Sequence, residues 1–170
     1  KIRVLFLVFS TKTSQYQKFF NVFARLRLFA GAGLFVCGEN AFHVRFALYE
    51  LLFKGSKTGS YLTVEKKPGR SVPVGVWEVT QADEKALDRY EGFPNFYYKK
   101  ELTLPIKGIR TGKVRKRRGF VYIMHENRPI GIPSIPYMQT CIQGYDDFGF
   151  DRLVLIDAYL KCGEEYYEGE

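Results

Sequence analysis

From Tyr49 onward, hydrophobic and polar positions alternate in short runs punctuated by glycine and proline. Residues 51–53 and 61–65 read as strands, and residues 54–60 and the Pro-Gly segment 66–70 read as turns. Alternation resumes at Val72 and runs to Thr80, where the period changes. Thr80 with Asp83 and Glu84 close behind is a helix start with acids in its first turn. The helix continues through Ala86 and Leu87 and ends at Gly92, with Pro94 blocking continuation. Strands are predicted at 97–106 and 119–124, joined as a hairpin with residues 107–118 at its tip. Pro129, Pro133 and Pro136 make residues 127–136 a loop. Ser134 then caps a helix over 136–148, Gly149 ends it, and Asp151 caps a last helix over 153–161. These two helices form an antiparallel or crossed pair against the sheet.

Residues 1–48 follow the pattern less well. Residues 4–9 suit a strand. Phe19, Phe20, Phe23, Leu26 and Phe29 make a rough helical stripe within 16–29. Basic residues interleave with these aromatics, which a core-facing helix with a basic solvent side explains. Gly31 and Gly33 have no phosphate-loop spacing.

Composition narrows the class. A chain of 170 residues with 46% hydrophobic content has enough apolar material for one folded domain over 1–170. Strands joined mostly by turns, with one short helix between them and helices at the end, give an α+β class. The expected architecture is a small, partly closed mixed β-barrel flanked by short helices. The net charge of +8 invites an anionic partner. It is uneven, however: residues 107–118 are basic and the tail at 163–170 is acidic. The basic run lacks an aromatic stacking platform, so a solvated hairpin tip is its ordinary reading and nucleic acid is not the expected partner. Cys37, Cys141 and Cys162 form no CxxC pair, so neither a zinc site nor a disulfide framework is expected. The cytoplasm is the natural compartment. Residues 1–9 carry two basic residues before a short apolar run but no cleavage pattern, so no secretory signal is expected, and no segment is long enough for a membrane helix.

Glu91 is the most unusual carboxylate in the pattern. It occupies the last turn of the helix that ends at Gly92, between Tyr90 and Phe93 and between two strands. The negative end of the helix dipole and aromatic neighbours would both favour its protonated form, toward the range useful in proton transfer. An ordinary solvated helix-end glutamate before a capping glycine accounts for the same residues.

Three marks occur in order. Residues 74–79 hold a Gly-Val strand leading to Leu87, Asp88, Glu91 and Gly92. Tyr97 and Tyr98 open the next strand. Pro133, Ser134 and Tyr137 start a helix that continues into a Gly-Tyr pair. Over residues 49–161 this resembles the γ-glutamylcyclotransferase-like family. The resemblance implies a small mixed barrel with surrounding helices and needs no cofactor. It implies a small-molecule γ-glutamyl substrate, whose α-amine attacks its own γ-carbonyl to give 5-oxoproline and a free amine or amino acid. The family's acid/base glutamate falls on Glu91, and Tyr137 falls near a pocket-lining position, with a core aromatic as its alternative role.

Relatives open with a strand running into a Tyr-Gly-Ser loop whose backbone amides hold the glutamyl group. Here Phe9, Ser10 and Thr11 occupy that place, without a glycine. The resemblance implies that these three residues would bind substrate. Residues 1–48 are atypical: aromatics and basic residues crowd there and no proline occurs before Pro68. Three accounts fit. Catalysis has been lost by divergence, a different loop holds the substrate, or the stretch is disordered or translated out of frame. The competing functions are therefore a cyclotransferase, a catalytically inactive family member acting as a binding module, and a nucleic-acid binder using residues 107–118.

Overall fold

The structure, a computed structural model, describes residues 3–7, 44–56, 59–107 and 113–168. The predicted strand at 4–9 is present as β1, Arg3–Leu7. The predicted helix at 16–29 lies outside the described residues.

The sheet is built around one long strand. β3 (Gly59–Val79) pairs antiparallel with β2 (Val44–Ser56) over its first part and with β1 over its last. Two strands predicted as separate, at 61–65 and from Val72, are thus one element. The Pro-Gly segment between them does not reverse the chain. Lys66 pairs with Tyr49 and Ser71 with Ala47, so residues 67–70 loop out of the ladder opposite Leu48. Gly69 and Leu48 take the positive φ values, 82° and 66°, that this irregularity requires.

β4 (Tyr97–Lys107) and β5 (Val114–Met124) form the expected antiparallel hairpin. Its tip is shorter than the sequence suggested, because Arg115, Lys116, Arg117 and Arg118 lie within β5 and pair with β4. They belong to the exposed part of that strand, and burial begins at Gly119. β5 also pairs parallel with β1, which gives the order β2-β3-β1-β5-β4.

The expected barrel is therefore an open mixed sheet, with no closed barrel among the described residues. The sheet nonetheless curls. Met124 N–H donates to Thr63 Oγ1 at 2.9 Å, and the Tyr97 hydroxyl donates to the Leu62 carbonyl at 3.2 Å. Residues 129–131 lie along the outer edge of β2 through a single antiparallel bridge between Lys54 and Ile130. Side chains and one bridge, rather than a ladder, hold the curled ends near each other.

Helix α1 (Gln81–Glu91) connects β3 to β4, and α2 (Ile135–Asp147) and α3 (Arg152–Glu168) follow the sheet. Ser134 caps α2 as predicted, and α3 runs well past the predicted end at Lys161 into the acidic tail. α3 is tied to β2 where Lys161 meets Glu50 at 2.9 Å. Phe53, Leu62, Val64, Phe120, Met124, Tyr137 and Leu155 are fully buried between these layers. No helix among the described residues is long and apolar enough to cross a membrane.

Candidate active site

Helix α1 is fixed at both ends by local chemistry. Thr80 and Asp83 form a reciprocal capping box: the Asp83 carboxylate accepts from Thr80 N–H at 2.8 Å, and Thr80 Oγ1 accepts from Asp83 N–H at 3.3 Å. At the other end Gly92 is left-handed, with φ 66° and ψ 33°. The N–H groups of Gly92 and Phe93 both donate to the Asp88 carbonyl. Helix length therefore places Glu91 in the final turn, as the sequence predicts.

The helical period puts Glu84, Asp88 and Glu91 along one face. Glu84 and Glu91 are buried, at 7% and 6% exposure, beside buried Leu87. That face looks onto the β4–β5 hairpin, where Lys99 and Tyr122 are register partners. The Lys99 ammonium stands 2.7 Å from Glu84 Oε1 and 2.7 Å from Asp88 Oδ1. The rings of Phe93, Phe120 and Tyr122 surround it at 4.9, 5.3 and 5.7 Å. The Tyr122 hydroxyl donates to Asp88 Oδ1 at 2.7 Å. Burial, that hydrogen bond and the charges of Asp88, Glu91 and Glu84 hold the Tyr122 phenol protonated well above its ordinary range. Tyr122 is thus a permanent donor within the field of Glu91.

Lys99 and Tyr122 escaped the sequence reading. Their signal lies in the pairing register of β4 and β5, which brings them side by side under a helix whose acids recur at i, i+4 and i+7.

Tyr137 is buried on α2. Its hydroxyl accepts from Leu62 N–H at 2.9 Å, and its ring packs edge-on against Phe53 and Tyr61. From Tyr61 the aromatic contacts continue to Phe96, whose N–H donates to the Gly92 carbonyl at 2.8 Å. Tyr137 is therefore linked through Tyr61 and Phe96 to the Gly92 end of α1. Phe9, Ser10 and Thr11 lie outside the described residues.

Other chemistries find less support among the described residues. No group of His, Cys, Asp and Glu there could hold a metal ion. Burial pushes the Cys141 thiol up to about 12, against a lowering hydrogen bond from Tyr137, which keeps it a poor nucleophile near neutrality.

A family model described as "Gamma-glutamyl cyclotransferase, AIG2-like" matches residues 21–139. A solved structure described as "Gamma-glutamyl cyclotransferase" resembles the chain with a TM-score of 0.59 and 21% identity, covering 88% of this chain and 81% of its own. The uncharacterized protein loc79017 from Homo sapiens does so with a TM-score of 0.57 and 22% identity, covering 87% and 80%. At such identities the likeness speaks for the fold. None of the curated proteins matched in a sequence search.

Proposed function

Because the chain belongs to the gamma-glutamyl cyclotransferase, AIG2-like family, we propose that it cyclises a γ-glutamyl group to 5-oxoproline and releases an amine or amino acid. Glu91 is the acid/base. Its carboxylate takes a proton from the substrate α-amine as that nitrogen bonds to the γ-carbonyl carbon. The proton then passes to the leaving nitrogen as the original amide bond breaks. One carboxylate suffices because nucleophile and electrophile belong to one molecule, so orientation supplies much of the rate.

The observation that carries this assignment is a buried glutamate closing α1 directly before a left-handed glycine, within the stretch that the family model matches. The capping box and the Lys99–Asp88–Tyr122 contacts fix the helix that presents it. Tyr137 enters the proposal as packing support for the aromatic wall. Phe9, Ser10 and Thr11 enter it as the substrate-holding segment.

One observation favours a second reading, a catalytically silent binding module. Residues 5–17 contain no glycine, which restricts the backbone conformations a glutamyl-holding loop can take. Mass-spectrometric detection of 5-oxoproline from a panel of γ-glutamyl dipeptides and γ-glutamyl amines separates the two. Release that disappears in a folded Glu91→Gln variant supports the cyclotransferase. Binding without release supports the silent relative, and neither binding nor release overturns both.

A further inference from the structure

The turn after Glu91 is locked to a second turn at the end of β5. His125 N–H donates to the Phe96 carbonyl at 3.4 Å, and His125 Nε2 donates to the Pro94 carbonyl at 2.8 Å. A carbonyl can only accept, so Nε2 is the donor in this contact. Arg128 N–H closes the second turn on the His125 carbonyl at 3.2 Å. The Arg128 guanidinium then lies 4.9 Å over the Phe96 ring. Phe96 in turn packs so tightly on Gly92 that an added Cβ there would stand 3.1 Å from Phe96 Cβ. Arg128, Phe96 and the Glu91–Gly92 end of α1 therefore form one packed unit.

Charge around this unit is unbalanced. The face of α1 toward the hairpin carries three carboxylates, Glu84, Asp88 and Glu91, and the Lys99 ammonium is engaged by Glu84 and Asp88. Among the described residues the Arg128 guanidinium meets the Phe96 ring and no carboxylate. The neighbouring Glu126 is held by the Tyr98 hydroxyl at 2.6 Å. A half-buried planar cation over a ring, with its edge donors uncommitted among the described residues, is prearranged for a carboxylate. An anionic substrate approaching a face rich in carboxylates needs such a counter-charge.

We propose that Arg128 binds a carboxylate of the substrate at the Glu91 site and so determines specificity for anionic γ-glutamyl compounds. This assignment rests on the cyclotransferase reading above. A γ-glutamyl amino acid offers two such groups, the α-carboxylate of the glutamyl part and the carboxylate of the departing amino acid.

The test uses Arg128→Gln, which keeps a planar amide over Phe96 and removes the charge, with Arg128→Lys as the charge-retaining companion. Steady-state kinetics are measured on a γ-glutamyl amino acid and on a γ-glutamyl alkylamide, and equilibrium binding is measured in the Glu91→Gln background. The expected result in Arg128→Gln is a KM raised about 10- to 100-fold with kcat nearly unchanged, the size expected for a lost charge-assisted contact. Arg128→Lys should recover part of the loss. A penalty on the amino-acid substrate alone assigns the departing carboxylate, and an equal penalty on both substrates assigns the glutamyl one. Unchanged KM in both variants, or a fall in kcat alone, overturns the role of Arg128. A folded wild-type chain that neither turns over nor binds either substrate overturns the cyclotransferase reading itself, and the role with it.

Discussion

The Tyr122 hydroxyl and the Asp88 carboxylate meet at 2.7 Å, one helical turn before Glu91. This contact joins the hairpin floor to the helix that ends in the candidate acid/base. Because the phenol stays protonated well above its ordinary range, it donates throughout the working pH range. Tyr122→Phe should lower stability by about 2 kcal/mol, the scale of a buried hydrogen bond to a charged acceptor. Urea denaturation checks the loss. A double-mutant cycle with Asp88→Asn should show strong coupling, and additive losses would deny the contact any energetic role.

Lys99 tests the balance of charge beneath α1. Its ammonium is the shared partner of Glu84 and Asp88, and its side chain is only 16% exposed. Lys99→Met keeps much of the aliphatic stem packed among Phe93, Phe120 and Tyr122 but leaves both carboxylates without that cation. Removing one member of a mostly buried ion pair costs about 3 kcal/mol or more. A second change, Glu84→Gln, should return part of that stability by removing one uncompensated charge. Thermal denaturation of the single and double variants measures both effects, and a double variant no more stable than Lys99→Met contradicts them.

Gly92 separates two costs of replacing a left-handed glycine. Alanine there must adopt φ 66° and must also crowd Phe96 at 3.1 Å. Gly149 has a similar φ, 60°, with nothing within 4 Å of an added Cβ. Gly149→Ala should therefore cost about 1 kcal/mol, the conformational part alone. Gly92→Ala should cost about 1 kcal/mol more, because Phe96 must give way. It should also reduce turnover, since the displaced turn carries Glu91. Equal losses of stability in the two variants would show that Phe96 yields freely.

How much was legible follows from how local each determinant is. The bounds of α1 came from Thr80, Asp83 and Gly92, all within a few residues of what they control. Ser134 at α2 and the β4–β5 hairpin were legible for the same reason. The Pro-Gly segment at 66–70 misled because its turn chemistry is real, yet the residues on either side pair with the same partner strand. Local signals cannot tell a loop-out from a reversal when the pairing partner decides. The basic run was misplaced similarly: β4 is long enough to pair with residues 114–118, so charged positions became a solvated strand. In the candidate site, the position of Glu91 was legible through its helix end. Lys99 and Tyr122 beneath that helix were not, because strand register brings them there, nor was Arg128, which a turn-to-turn contact sets over Phe96.

The Tyr98–Glu126 pair gives a pH test of the turn that carries Arg128. Burial first, then the hydrogen bond to Glu126, raises the Tyr98 phenol above its ordinary value of 10.0. The same hydrogen bond is the main cause that lowers Glu126 below its ordinary 4.5. A lowered carboxylate contributes stability that is present above its unfolded value and lost as pH falls through the folded one. A raised phenol contributes stability that is present below its unfolded value and lost as pH rises above it. The contact should therefore stabilise on a plateau from roughly pH 4.5 to roughly pH 10. Tyr98→Phe removes the hydroxyl and with it the plateau. The difference in unfolding free energy between wild type and Tyr98→Phe should be largest near neutrality and shrink toward both ends, as measured by urea denaturation across pH. A difference that stays constant from acid to alkali would mean that the ring, not its hydroxyl, holds this turn in place. His125 and Arg128 would then keep their positions in the variant, and KM for an anionic substrate would not change.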